Sequence, residues 1–142
     1  MSETLRFFRL DERAILPTKS YGSAAGMDLY NLEKATILPF ETKKLPLGIC
    51  VLLPPNTYGR MLPRSGLSLQ GLFINGGVID PDYTGSINAI AYNGSEKKIT
   101  ILAGERVAQL VVQPYLDLTP TWTDNIQHDT ARGEKGFGST GK

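Results

Sequence analysis

The chain has 142 residues, 41% of them hydrophobic, with 15 Lys and Arg against 14 Asp and Glu and a formal net charge of +1. That length suits one domain able to bury roughly two thirds of its unfolded surface, and charges scattered in both signs provide no basic field for following a nucleic-acid backbone. One cysteine excludes an intrachain disulfide, and no apolar run approaches a membrane span or a signal-peptide core, so the chain reads as soluble and intracellular, with cytoplasm and nucleus not resolved.

Short runs rich in β-branched and aromatic residues, set between turn signals, predict an all-β fold without an amphipathic helix of ordinary length. Strands are expected over residues 5–10, 27–31, 41–53, 57–62, 85–93, 97–102 and 106–115, with a short helix or turn over 65–70. Cys50, in Gly-Ile-Cys-Val-Leu-Leu, reads as a small buried strand residue. Pro54-Pro55-Asn56, Asn93-Gly94 and Ala103-Gly104-Glu105 supply turns, and the Asn-Gly pair predicts a hairpin because both residues tolerate positive φ. Asn93-Gly94-Ser95 also matches a glycosylation acceptor, but without a secretion signal the turn reading is preferred. After Asp117 the pattern becomes irregular. The expectation is a single domain over 1–142, with 130–142 as a mobile arm.

A compact sandwich or barrel keeps its function in loops and hairpins, and three segments have suitable chemistry. Pro63-Arg64-Ser65-Gly66-Leu67-Ser68 follows a strand and places a guanidinium, a hydroxyl and a glycine amide on one turn, where an anion could meet all three. Asn75-Gly-Gly-Val-Ile79-Asp80-Pro-Asp-Tyr83-Thr-Gly85 offers paired glycines for close approach of a ligand and a backbone edge able to read a base. Within it, Asp80 is either an ordinary turn aspartate or a carboxylate that orients water, and Tyr83 either a routine strand aromatic or a flat wall beside a sugar. The third segment, residues 132–142, carries Arg132, Phe137, Gly138, Ser139 and Thr140. Its residues 136–142 have the G-x-x-x-x-G-K spacing of a phosphate loop without the following Ser or Thr and helix. Glycine, serine and lysine there ordinarily mean disorder. An aromatic between two glycines instead suits a lid whose ring stacks on something, a nucleobase being one candidate.

Order and combination narrow these readings. Ala25-Gly-Met-Asp-Leu-Tyr30, Tyr58-Gly-Arg-Met-Leu-Pro-Arg-Ser-Gly-Leu-Ser68, Gly76-Gly-Val-Ile-Asp-Pro-Asp-Tyr-Thr-Gly85, Gly104-Glu-Arg-Val-Ala-Gln-Leu110 and the glycine-rich tail from Arg132 occur in sequence. Together they resemble the five motifs of the homotrimeric dUTPase family. The resemblance implies a distorted jelly-roll (β-clip) fold with a glycine-rich C-terminal arm. It further implies three chains around a three-fold axis, with active sites at subunit interfaces, each covered by a third chain's arm. The implied activity is dUTP diphosphatase: hydrolysis of dUTP to dUMP and pyrophosphate, which limits uracil in DNA and supplies dUMP for dTMP synthesis.

Carried over by position, the resemblance makes Asp80 the residue that orients water toward the α-phosphorus. An aspartate is ionised at neutral pH, so placing the water matters more than basicity. Tyr83 would pack on the deoxyribose where a 2′-hydroxyl would clash. The backbone near Gly77 and Asn88, with Asn75 and Ile79, would bind uracil, rejecting cytosine because unpaired buried groups cost about 1–3 kcal/mol each. Arg64, Ser65, Gly66 and Gln109 would hold the phosphate chain, Arg132, Gly138, Ser139 and Thr140 would close over its far end, and Phe137 would stack on the base. Mg²⁺ would bridge triphosphate oxygens, with Asp28 acting on it through water; from the residues alone, Asp28 reads as an exposed strand residue. Pro81, Thr84, Lys135 and Ser68 depart from the commonest family pattern without removing a proposed catalytic group. His128 reads as exposed loop. The related dCTP deaminases need an additional acid/base carboxylate, typically Glu, and residues 75–83 contain no Glu. A non-catalytic signalling relative would be expected to lose Asp80, Tyr83 or the tail, and this chain keeps all three.

Overall fold

The computed structural model describes residues 3–126 and 130–138. In chain order the elements are β1 (Arg6–Arg9), β2 (Met27–Tyr30), β3 (Ala35–Ile37), β4 (Thr42–Pro46), β5 (Ile49–Leu52), β6 (Thr57–Leu62), α1 (Ser65–Leu69), β7 (Leu72–Asn75), β8 (Val78–Ile79), β9 (Asn88–Asn93), β10 (Ile99–Ile101) and β11 (Arg106–Pro114). Four antiparallel groups form, ordered β2-β11-β6-β8, β4-β9-β7, β1-β5 and β10-β3. The all-β expectation holds, and no helix among the described residues is long and apolar enough to cross a membrane.

Alternation along the strands supplies the core. In β9, Ala89, Ala91 and Asn93 face inward while Ile90 faces out, and Leu29, Ile37, Leu45, Leu47, Leu72, Ile101 and Leu110 are fully buried. Each such leucine or isoleucine contributes about 1.5–3 kcal/mol by leaving water. The nine-residue β11 lies between β2 and β6, with a register shift between Arg106 and Ala108 that inserts Val107 as a bulge. Cys50 is buried and unpaired, as expected for a strand residue.

The strand expected over 41–53 is divided. Gly48 takes φ +75° between β4 and β5, and a Cβ there would come within 2.9 Å of Leu32 Cδ1, so a continuous apolar run conceals a corner. The strand expected from 85 begins only at Asn88, and β3, β7 and β8 were not anticipated. The hairpin expected at Asn93-Gly94 is absent: β9 pairs with β4 and β7, and β10 pairs with β3. Asn93 instead is fully buried. Its amide donates to the Ile37 and Lys97 carbonyl oxygens at 3.0 and 2.8 Å, and its Oδ1 accepts from the Ser95 amide and hydroxyl at 2.9 and 2.7 Å. That use of the side chain also removes it as a glycosylation acceptor.

Candidate active site

One cavity, of about 350 Å³, opens between β8 and the β4-β9-β7 sheet. It is lined by Lys44, Met61, Asn75, Gly76, Gly77, Val78, Ile79, Asp80, Tyr83, Ser86, Ile87, Asn88 and Ile90. Asn75, Gly77, Ile79, Asp80, Tyr83 and Asn88, all marked from sequence, therefore meet in one place. Gly76 and Gly77 both have positive φ, 79° and 70°, and reverse the chain between β7 and β8. The Gly77 carbonyl oxygen accepts from the Met61 amide at 2.7 Å, while the Gly77 N–H has no acceptor among the described residues.

Asp80 follows β8 directly and starts a turn, its carbonyl oxygen accepting from the Tyr83 amide at 3.0 Å, with Pro81 in the position such turns favour. The turn reading of Asp80 holds, and the turn places the exposed carboxylate at the cavity wall. That carboxylate has no hydrogen bond or ion pair among the described residues. Sequence reading missed Lys44, Met61, Ser86 and Ile90. Lys44 and Asn75 both pair with Ile90 from opposite sides, forming a row across three strands, and no signal along the chain shows such a register.

A second cavity, of about 170 Å³, is lined by Ser20, Asp28, Arg64, Ser65 and Gln109. Sheet register creates it. Gln109 on β11 is paired with Asp28 on β2 and with Leu62 on β6, two residues before Arg64. Gln109 Nε2 donates to the Pro63 carbonyl oxygen at 3.0 Å, tying β11 to the arginine-bearing turn. The Ser65 and Gly66 amides, at the start of α1, have no acceptor among the described residues.

Asp28 is 6% exposed, against the exposed strand position that its residue type suggested. Its Oδ1 stands 3.3 Å from Arg64 Nε, and its Oδ2 accepts from the Ser20 hydroxyl at 2.8 Å and faces Arg106 Nε at 3.6 Å. Buried carboxylates persist when paired in this way. Arg106 Nε also donates to the Tyr30 phenolic oxygen at 3.4 Å, and that oxygen shares a hydrogen bond with the Thr18 hydroxyl at 2.6 Å. The Thr18 hydroxyl, then the Arg106 guanidinium, lower the Tyr30 pKa, and the Tyr30 contact raises that of Arg106. A hollow of about 270 Å³, sharing Arg64 with the second cavity, lies between Arg64, Gly66, Leu67, Gln70, Glu105 and Arg106.

Arg132, Phe137 and Gly138 line neither cavity. The Arg132 guanidinium folds back on the Lys135 carbonyl oxygen, and the Phe137 ring is fully exposed. Ser139 and Thr140, together with His128, lie outside the described residues.

Residues 12–141 match the dUTPase family model. The chain belongs to the dUTPase family. It is 40% identical over 142 residues to the deoxyuridine 5'-triphosphate nucleotidohydrolase of Mus musculus, covering 98% of this chain and 86% of that one. The Staphylococcus bacteriophage 80alpha dUTPase with dUpNHpp superimposes with a TM-score of 0.92 at 27% identity, over 99% of this chain and 100% of that chain. A dUTPase of S. aureus phage phi11, described with a coordinated structural Mg(II) ion, shares the fold at 22% identity and a TM-score of 0.82, over 88% of this chain and 99% of that one.

Proposed function

We propose that this dUTPase-family chain hydrolyses dUTP to dUMP and pyrophosphate, with the Asp80 cavity taking the deoxyuridine and the Arg64 cavity of a neighbouring copy taking the phosphates. The observation that carries this is the division of the site. The larger cavity is the size of a small-ligand pocket and has a free carboxylate and an unpaired backbone amide. The smaller has a guanidinium, a hydroxyl and unpaired amides, and the two have no lining residue in common.

The exposed apolar strip after β11 supports an assembly. Leu116, Leu118, Trp122 and Ile126 lie open to solvent in the single chain, Trp122 at 98% exposure, and four large apolar side chains exposed within eleven residues suit burial against a partner chain. A homotrimer would join one chain's nucleoside cavity to the next chain's phosphate cavity, and residues 130–142 of a third would close over both. In that closure Arg132, Gly138, Ser139 and Thr140 meet the phosphates and Phe137 the base.

In the reaction, Asp80 accepts a hydrogen bond from a water molecule and aims it at the α-phosphorus. A new P–O bond forms as the α–β bridging P–O bond breaks, pyrophosphate departs, and the water proton passes to the carboxylate and then to solvent. Tyr83 walls the sugar. Arg64, the Ser65 hydroxyl and the Ser65 and Gly66 amides hold phosphate oxygens. Among the described residues no three metal-ligating side chains cluster, and the Asp28 oxygens already face Ser20, Arg64 and Arg106. These residues would suit a hydrated Mg²⁺ brought in with the triphosphate, with Asp28 reaching it through water, and the ion would supply neutralisation of charge on the leaving group.

The test is pyrophosphate release from dUTP, dTTP, dCTP and UTP with Mg²⁺, beside sedimentation of the protein. Selective turnover of dUTP by a trimer is expected. A folded trimer that binds dUTP and releases no pyrophosphate would replace the enzyme with a nucleotide-sensing module.

A further inference from the structure

We propose that Ser20 and Arg106 are positioning residues for the triphosphate: they hold the Asp28 carboxylate, and Asp28 aims the Arg64 guanidinium at the phosphate chain. This deepens the functional reading above and rests on Arg64 being a phosphate ligand.

The geometry is a line of contacts with Asp28 at its centre. Asp28 is nearly buried and uses both oxygens, Oδ1 toward Arg64 Nε at 3.3 Å and Oδ2 toward the Ser20 hydroxyl at 2.8 Å and Arg106 Nε at 3.6 Å. A guanidinium that gives its Nε edge to one carboxylate keeps Nη donors for another acceptor. Both arginines line one hollow together with Glu105, and the Arg64 Nη donors that Asp28 leaves free are the ones a phosphate oxygen would take there.

Arg106 is fixed from its far side. Its Nε reaches the Tyr30 phenolic oxygen at 3.4 Å, its guanidinium carbon lies 6.0 Å from the centre of that ring, and the Thr18 hydroxyl holds the phenol at 2.6 Å. Ser20 belongs to the same supporting segment. Thr18 is bridged to Asp28 through both backbone amides, at 3.3 and 2.6 Å, which sets the Ser20 hydroxyl two residues later against the carboxylate. Removing Ser20 or Arg106 therefore frees the Asp28 carboxylate to rotate, and the direction of Arg64 is lost with it.

The experiment measures affinity for dUpNHpp and for deoxyuridine in Ser20→Ala, Ser20→Thr, Arg106→Ala and Arg64→Ala, and in the double variants with Arg64→Ala. Ser20→Ala and Arg106→Ala are expected to weaken dUpNHpp roughly fivefold or more, since the first removes a hydrogen bond to a charged group and the second the cation that faces it. Deoxyuridine, which has no phosphate, should be held within about twofold, which also reports that each variant is folded. Ser20→Thr keeps the hydroxyl and should restore the affinity. In the Arg64→Ala background the Ser20 and Arg106 changes should add almost nothing, because they act through Arg64. Unchanged dUpNHpp affinity in both single variants, or losses that add fully to that of Arg64→Ala, would overturn the positioning role. Should Arg64→Ala itself bind dUpNHpp normally, the phosphate-site reading falls and takes the inference with it.

Discussion

The Tyr83 ring lies directly over Gly85: a Cβ at position 85 would stand 2.6 Å from the phenolic oxygen, which itself donates to the Ser86 carbonyl oxygen at 2.7 Å. The pair keeps a 46% exposed aromatic in one orientation at the cavity wall. Gly85→Ala should displace the ring without touching the core. The ratio of kcat/KM for dUTP over UTP is expected to fall by roughly tenfold, about 1.4 kcal/mol of discrimination, at an unchanged melting temperature. An unchanged ratio would remove Tyr83 from sugar selection.

Asp80 is held by a backbone turn, and its carboxylate makes no hydrogen bond or ion pair among the described residues. Asp80→Asn keeps the shape and removes the charge that orients water. Turnover should drop by about 10²–10⁴-fold, the usual contribution of a positioned acid or base, while the affinity for dUpNHpp changes little. Hydrolysis at the parent rate would refute the assignment.

Contiguous chemistry was legible in the sequence, and chemistry assembled by register was not. Asp80, Tyr83 and Gly77 lie on one segment and line one cavity, while Arg64 and Ser65 line the second cavity and Gly66 the hollow that shares Arg64 with it. Lys44 and Ile90 reach the first cavity only because β4 and β9 pair at those positions. Asp28 became a buried clamp because β2 lies beside β11, and no periodicity over four residues reports a neighbour. Strands of two and three residues, such as β8 and β3, are too short for alternation to be read. At Asn93-Gly94 the local turn preference lost to a buried amide, while at Gly104, with φ +82°, the expected turn formed as the composition suggested.

Asn93 joins β9 to the β3 end through a buried hydrogen bond and to the loop before β10 through part-buried ones. Asn93→Ala strands the Ile37 carbonyl and the Ser95 amide. Each buried group left unpaired costs about 1–3 kcal/mol, so chemical denaturation should show a loss of at least about 2 kcal/mol. A loss below about 0.5 kcal/mol would mean that water takes over these bonds.

Tyr30 titrates below the usual 10.0, first because of the Thr18 hydroxyl and then because of Arg106. A folded-state pKa below the unfolded one favours folding fully above the unfolded value, and that contribution is lost as pH falls through the folded value. Thr18→Val should raise the onset of tyrosinate absorbance. Its stability deficit relative to the parent should grow as pH rises toward 10, beyond any constant packing difference. An onset that does not move would place the cause elsewhere.

The described part of the arm is tied mainly to itself. The Gly133 amide donates to the Thr130 hydroxyl at 3.0 Å and the Lys135 amide to the Arg132 carbonyl oxygen at 3.2 Å, while Arg132 and Phe137 are exposed. Little of the core depends on it. A chain ending before Arg132 should therefore keep its melting temperature and its affinity for deoxyuridine, both of which belong to the strands and the cavity between them. It should lose most of its dUTP turnover, because a lid contributes only once substrate is bound, by excluding water from the reacting phosphate and adding a guanidinium to it. Phe137→Ala separates the two contributions, since it removes the ring and keeps the cation. It should weaken dUpNHpp by roughly the 1–3 kcal/mol of a base–aromatic stack with a smaller effect on kcat. Full turnover by the shortened chain would confine the active site to residues 1–131 and leave the arm without a catalytic part.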